Sequence, residues 1–140
     1  MSALPAGLAA AAVGAPLFSA LGFPLVSFAV WQFFSLVCHQ DAARSFWIAG
    51  APVAVCGRCL GIYLGTAAGA WLPAERKLLL RALVLVLATS LLDFLTEVAG
   101  LHVNWPLVRF ALGGALGATL GALVAGSLHH DATATRLATD

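Results

Sequence analysis

Charged side chains are scarce in this chain. Only 9% of its 140 residues are Asp, Glu, Lys or Arg, whereas 61% are hydrophobic. Soluble domains carry about 25% charged residues, so this chain has too few to cover a surface in water. The composition therefore excludes an ordinary soluble domain and predicts that lipid surrounds the protein. A formal net charge of +1, with no basic stripe, also argues against a nucleic-acid partner.

Two further features are missing. The first residues contain no Lys or Arg of the kind that begins a secretory signal peptide. We expect residues 1–15, rich in Ala and Gly, to form a mobile or interfacial lead-in. The chain has three cysteines, and this odd number excludes a framework in which every cysteine is paired.

Long apolar runs dominate the rest of the sequence. A helix of about 20 apolar residues crosses a bilayer and satisfies its own backbone hydrogen bonds. Four segments predict such spans: residues 16–37, 56–72, 78–100 and 106–128. The expected fold is an all-α integral membrane bundle of about four transmembrane helices, with a Cys/His-containing loop between the first two. The predicted division is a lead-in (1–15), a membrane domain (16–128) and a polar tail (129–140).

Small residues recur at four-residue spacing in the second and fourth predicted spans. Such stripes let helix backbones approach closely, so we interpret them as packing seams. A homo-oligomer assembled through these faces is a further prediction. The stripes are Gly57, Gly61, Gly65 and Gly69 in one span, and Gly113, Gly117 and Gly121 in the other.

Basic residues predict the orientation. Arg76, Lys77 and Arg81 cluster at the turn between the second and third spans. Because cytoplasmic loops are enriched in Lys and Arg, we expect this turn inside the cell and the loop of residues 38–55 outside. The prediction is a multi-pass protein of the inner or plasma membrane.

Hairpin topology gathers most of the polar residues at one membrane face. With four spans, the end of the first, the start of the second, the end of the third and the start of the fourth lie at the same level. We expect one site there, on the outer face. Its predicted members are Cys38, His39, Cys56, Arg58, Cys59, Tyr63, Asp93, Glu97 and Arg109.

The cysteines predict metal or thiol chemistry. Cys56 and Cys59 lie one helical turn apart at a helix start, where the helix dipole favours thiolates. Cys38 and His39 would complete a Cys3His set, which suits zinc or another transition metal, with an iron–sulfur centre less favoured. A redox-active thiol pair is the alternative, and inert packing of buried cysteines is the third interpretation.

Charges inside a membrane span are costly and mark function. Asp93 and Glu97 share one helix face because they are four residues apart. A carboxylate there could transfer a proton or complete a metal shell, and a structural ion pair with Arg109 or Arg58 is the alternative. Tyr63 could donate a hydrogen bond into the pocket or simply pack.

The order of these motifs resembles the DUF2085 family of predicted prokaryotic membrane proteins. The resemblance covers about residues 38–117. It includes the acid Asp93 in the third span, and then Asn104 and Arg109. Asp41-Ala42-Ala43 departs from the family pattern, which has a proline there. The resemblance implies that these residues act as a set, and it implies no reaction. The motifs that carry it are Cys38-His39-Gln40, Arg44-Ser45-Phe46 and Cys56-Gly57-Arg58-Cys59-Leu60-Gly61-Ile62-Tyr63-Leu64-Gly65.

Three functions stay open from the sequence, and whether the chain is an enzyme is not decided. The first is a membrane-embedded metal site with Asp93, Glu97 and Arg109 around it. The second is a membrane thiol–disulfide oxidoreductase, coupled to a quinone, that cycles Cys56 and Cys59. The third is a small transport or accessory subunit with a polar path lined by the acids and Arg109.

Overall fold

The computed structural model describes residues 2–101 and 105–137, with side chains described as far as Leu128. Within these residues the chain forms five α-helices. Three are long and apolar enough to cross a membrane: Ala3–Ala20, Arg76–Val98 and the Pro106–Leu128 part of the last helix. The predicted all-α membrane bundle is confirmed, and the count of four spans is approximate. The helices are α1 (Ala3–Ala20), α2 (Pro24–Ser35), α3 (Gly57–Gly69), α4 (Arg76–Val98) and α5 (Pro106–Leu137).

The ends of the chain differ from the sequence prediction. Helix α1 occupies most of the predicted lead-in and ends at Ala20, and α2 begins at Pro24. Gly22, at φ +85°, separates the two helices in a conformation that glycine adopts without a steric penalty. Two helices therefore replace the single predicted span of residues 16–37. At the other end, α5 continues to Leu137, through most of the predicted polar tail.

A proline inside α1 fixes the loop between α2 and α3. Pro16 has no N–H, so the carbonyl of Ala12 lacks the helical hydrogen bond that it would otherwise accept from residue 16. The backbone N–H of Ala54 donates to this carbonyl at 3.2 Å. Ala54 and its neighbours Val53 and Val55 are fully buried. Non-helical backbone in a membrane protein is tolerated where protein buries it, and this segment meets that condition.

The loop itself is a compact structure. It begins with a 3-10 turn, Ala42–Arg44, followed by an antiparallel hairpin of strands β1 (Trp47–Ile48) and β2 (Ala51–Pro52). The hairpin turn uses Ala49 and Gly50, both with positive φ (51° and 80°), as two-residue hairpins require. The chain therefore reverses tightly and runs back into the bundle toward Cys56.

The glycine stripes of α3 and α5 pack against each other within one chain. A Cβ added to Gly57 would meet the Pro106 carbonyl, and one added to Gly69 would meet the carbonyl of Ala118. Because both partners advance along the chain together, the two helices run parallel. The predicted packing seams are thus intramolecular, and the contacts give no support to an oligomer through these faces.

Helix α4 carries the acids but packs loosely. None of its residues is buried, and large side chains such as Leu91 and Leu92 are 58% and 61% exposed. Exposed apolar surface of this extent is expected where lipid covers a helix. The last turns of α4 nevertheless lie at the site, because Asp93 and Glu97 form ion pairs with arginines of other elements.

Candidate metal centre and its ion-pair network

Three cysteines from two distant parts of the sequence meet at the start of α3. Cys38 follows α2, Cys56 is the residue before α3, and Cys59 lies in its first turn. Their sulfur atoms all lie within 4.8 Å of one another, and none is in a disulfide. In a tetrahedral zinc site, Zn–S bonds of about 2.3 Å place sulfurs roughly 3.8 Å apart. The three cysteines could therefore hold a metal ion after a small movement of their side chains.

Hydrogen bonds stabilise the thiolate form of Cys38. The side-chain thiols of Cys56 and Cys59, and backbone N–H groups of Cys56 and Gln40, hold the pKa of the Cys38 thiol well below its ordinary range. The N–H of Cys56 donates to Cys38 Sγ at 3.3 Å. This N–H lies at the N-terminus of α3, where the helix dipole also favours an anion. Cys38 is thus prepared to act as a thiolate, the form that binds metals.

Gln40 holds the Cys38 loop in place. Its Nε2 donates to the carbonyl oxygens of Trp31, at 2.8 Å, and Ala54, at 2.9 Å. Gln40 also has a positive φ of 51°, which is uncommon for a residue with a Cβ. The side chain therefore ties the end of α2 to the buried segment before Cys56.

We expect Gln40→Ala to lower the free energy of unfolding by about 1–3 kcal/mol, because it leaves two part-buried carbonyls without this donor. Thermal unfolding in detergent measures the effect. Gln40→Gly is the matched control, since it removes the same side chain but relieves the positive φ. The Ala variant should be the less stable of the two; equal stability with wild type in both would contradict a positioning role.

His39 does not join the sulfur group. The side chain is exposed, and the cluster within 4.8 Å consists of the cysteines alone among the described residues. The reason is local: Cys38 and His39 are adjacent in a segment without regular structure, where the Cys38 side chain is buried and the His39 side chain is exposed. The group of ligand atoms within 4.8 Å therefore contains the three cysteines, and His39 as the fourth ligand of a Cys3His set stays a prediction. A cleft beside it is lined by Cys38, His39 and Gln40 together with the end of α2.

Arg58 connects the cysteines to α4. This arginine lies between Cys56 and Cys59 in sequence, and its Nη2 donates to Asp93 Oδ2 at 2.8 Å. The Asp93 side chain is only 10% exposed. Arg58 Nε is buried and has no hydrogen-bond partner among the described residues.

A second ion-pair chain holds the loop, α4 and α5 together. Glu97 Oε1 accepts from Arg44 Nη2 at 2.7 Å, and Glu97 Oε2 accepts from Arg109 Nη2. Arg109 is 6% exposed, so Glu97 rather than water compensates its positive charge. Arg44 also contacts Asp41, at 3.0 Å, in a largely solvated pair. The two acids of α4 therefore form ion pairs with arginines from three different elements.

Tyr63 lies next to the cysteines, one turn beyond Cys59. Its ring packs at 6.1 Å from the ring of Phe34, and its hydroxyl is in electrostatic range of the three thiols. Both interpretations of Tyr63 from the sequence, packing and donation into the site, are compatible with this position.

The sequence prediction did not assign roles to Gln40 and Arg44. Both belong to motifs that carry the family resemblance, Cys38-His39-Gln40 and Arg44-Ser45-Phe46, and this was the available signal. Their partners, the carbonyl of Ala54 and the carboxylate of Glu97, are far away in sequence. Asn104, which also belongs to the resemblance, lies outside the described residues.

Comparisons with known proteins bear on the family and on the membrane location of the chain. Residues 38–123 match the model of a family described as predicted membrane proteins, DUF2085. An uncharacterised protein of Methanocaldococcus jannaschii is 34% identical over 118 residues, with 76% of each chain covered. No solved structure matches the chain. The matched segment contains the three cysteines and every residue of both ion-pair groups, and the chain belongs to the DUF2085 family of predicted membrane proteins.

Proposed function

We propose that this protein binds a thiolate-preferring transition metal, zinc foremost, through Cys38, Cys56 and Cys59. The observation that carries the proposal is the approach of all three sulfur atoms to within 4.8 Å of one another. Soft thiolate ligands select metals such as zinc and copper(I) over hard cations. Three protein ligands leave a fourth position, which in zinc sites belongs to water or a substrate.

The charges around the cysteines support a bound cation. Arg44, Arg58 and Arg109 pair with Asp41, Asp93 and Glu97, so three positive and three negative side chains already balance. Thiolates added to this balanced set need further positive charge, because uncompensated charge in a poorly solvated site is costly. A divalent metal supplies that charge. The ion pairs then act as a support that holds Arg58 and the start of α3 in place.

The metal content of the purified chain tests the proposal. Wild-type protein, isolated in detergent without chelators, should carry about one metal ion per chain by elemental mass spectrometry. Cys56→Ser/Cys59→Ser should lose it, since oxygen is a poor replacement for a thiolate ligand. His39→Ala is the matched variant and should keep the metal, because His39 lies outside the sulfur group.

Three outcomes separate the alternatives. Folded wild-type protein without metal, even after incubation with zinc, would contradict the proposal. Loss of metal in His39→Ala would show that the histidine completes the predicted Cys3His set. Metal in wild type and in His39→Ala, but not in the double cysteine variant or in Cys38→Ser, would establish the three-cysteine site.

Thiol–disulfide exchange is the second candidate function. The Cys38 sulfur lies within 4.8 Å of the other two sulfur atoms and accepts a hydrogen bond from the Cys56 N–H. Its pKa is lowered, as that of an attacking thiolate is. Mild oxidation of metal-free protein followed by thiol trapping would then detect a disulfide between two of the cysteines, reversed by a dithiol. Wild-type protein in which no pair forms under oxidation excludes this function.

A further inference from the structure

A second concave surface lies between α4 and α5, away from the cysteines. It is an open cleft of about 690 Å³. Its walls are mainly apolar, with Arg76 as the charged residue and Ser127 as the hydroxyl. The lining residues are Ala74, Arg76, Leu79, Leu80, Ala122, Leu123, Val124, Gly126 and Ser127.

This cleft lies at the ends of two apolar spans, where length and composition predict the boundary between hydrocarbon and water. Arg76 is the first residue of the apolar span of α4, and Ser127 is next to the last residue of the apolar part of α5. The leucines of the cleft lie one turn further into these spans. A molecule that fills the cleft therefore meets apolar walls on one side and a guanidinium group at the interface.

Charge at this boundary is positive. Lys77 and Arg81 accompany Arg76, and Glu75 is the acid beside them, so residues 74–81 carry a net charge of +2. All three basic side chains are exposed. Basic pockets between transmembrane helices bind anionic lipid headgroups, because the phosphate meets the cationic side chains while acyl chains remain in the hydrocarbon.

We propose that the cleft between α4 and α5 binds one anionic phospholipid, with its phosphate at Arg76 and an acyl chain along Leu79, Leu80 and Leu123. The proposal does not depend on the metal site, which lies at the other end of α4. Charge complementarity selects an anionic lipid over a zwitterionic one. The apolar walls select a lipid over a soluble phosphate.

Native mass spectrometry of the full chain in detergent tests this site. Phosphatidylglycerol and phosphatidylcholine with identical acyl chains are titrated separately. Wild type should retain one phosphatidylglycerol at about tenfold lower concentration than phosphatidylcholine. Removing one charge in Arg76→Gln should weaken phosphatidylglycerol binding about fivefold, and Arg76→Lys should largely restore it. Arg76→Gln/Lys77→Gln/Arg81→Gln should remove the preference.

A matched pair of variants tests the cleft itself. Val124→Phe fills the cleft and should weaken binding of both lipids, whereas Val84→Phe, on the exposed face of α4 outside the lining, should not. Equal retention of the two lipids by wild type, or an unchanged preference in the triple variant, would overturn the proposal. Displacement of the lipid by inorganic phosphate alone would show that the apolar walls do not contribute.

Discussion

Replacing Gly65 by alanine is expected to lower the free energy of unfolding by about 3 kcal/mol or more, the upper range for overpacking. The added Cβ would overlap the carbonyl of Gly114 and the backbone N of Ala118. These are backbone atoms, which cannot move aside as the end of a flexible side chain can. The parallel helices α3 and α5 must separate, and chemical unfolding in mixed detergent measures the loss.

The same substitution should also reach the cysteines, because α3 positions Cys59 and α5 positions Arg109. We therefore expect Gly65→Ala to bind metal more weakly than wild type. Gly7→Ala is the matched control: Gly7 lies in α1 and has nothing within 4 Å of an added Cβ. That variant should be as stable as wild type or more stable, because alanine favours helix. Equal stability of Gly65→Ala and Gly7→Ala would contradict the close packing of α3 on α5.

Neutralising Glu97 is the other change with a large expected effect. Glu97→Gln should cost about 3–5 kcal/mol, because it leaves the nearly buried guanidinium of Arg109 without its charged partner. Arg44, which is more exposed, can turn to water and to Asp41. Thermal unfolding of the purified chain in detergent gives the measurement.

A double variant separates the ion pair from other roles of Glu97. Removing both charges in Glu97→Gln/Arg109→Gln should recover much of the lost stability, since no unpaired charge remains. Asp41→Asn is the control for a solvated pair; we expect it to cost about 1 kcal/mol or less. A Glu97 variant no less stable than the Asp41 variant would refute the claim that this pair holds the loop, α4 and α5 together.

The close arrangement of cysteines, acids and arginines could be anticipated from hydropathy and the order of the spans. The path of the chain before Cys38 differs from the prediction, because helices α1 and α2 replace the first predicted span. Cys38 nevertheless lies at the start of α3. The outer-face orientation remains a prediction. So do the catalytic roles that the sequence suggests for Asp93, Glu97, Arg109, Arg58 and Tyr63. The ion pairs show what holds the charged groups, and both the structural and the functional interpretation of the acids are compatible with them.

Scarce charge and long apolar runs are enough to predict a lipid environment and helices, because a backbone in lipid must satisfy its own hydrogen bonds. The particular side-chain pairs become known from the folded chain. Arg58 pairs with Asp93, Glu97 with Arg44 and Arg109, and His39 stays outside the sulfur cluster. Local patterns do not encode such pairings, because each pairing depends on contacts between distant parts of the chain. One such contact is the packing of the glycine stripes of α3 and α5. Another is the hydrogen bond from the Ala54 N–H to the Ala12 carbonyl, which Pro16 leaves without its helical donor.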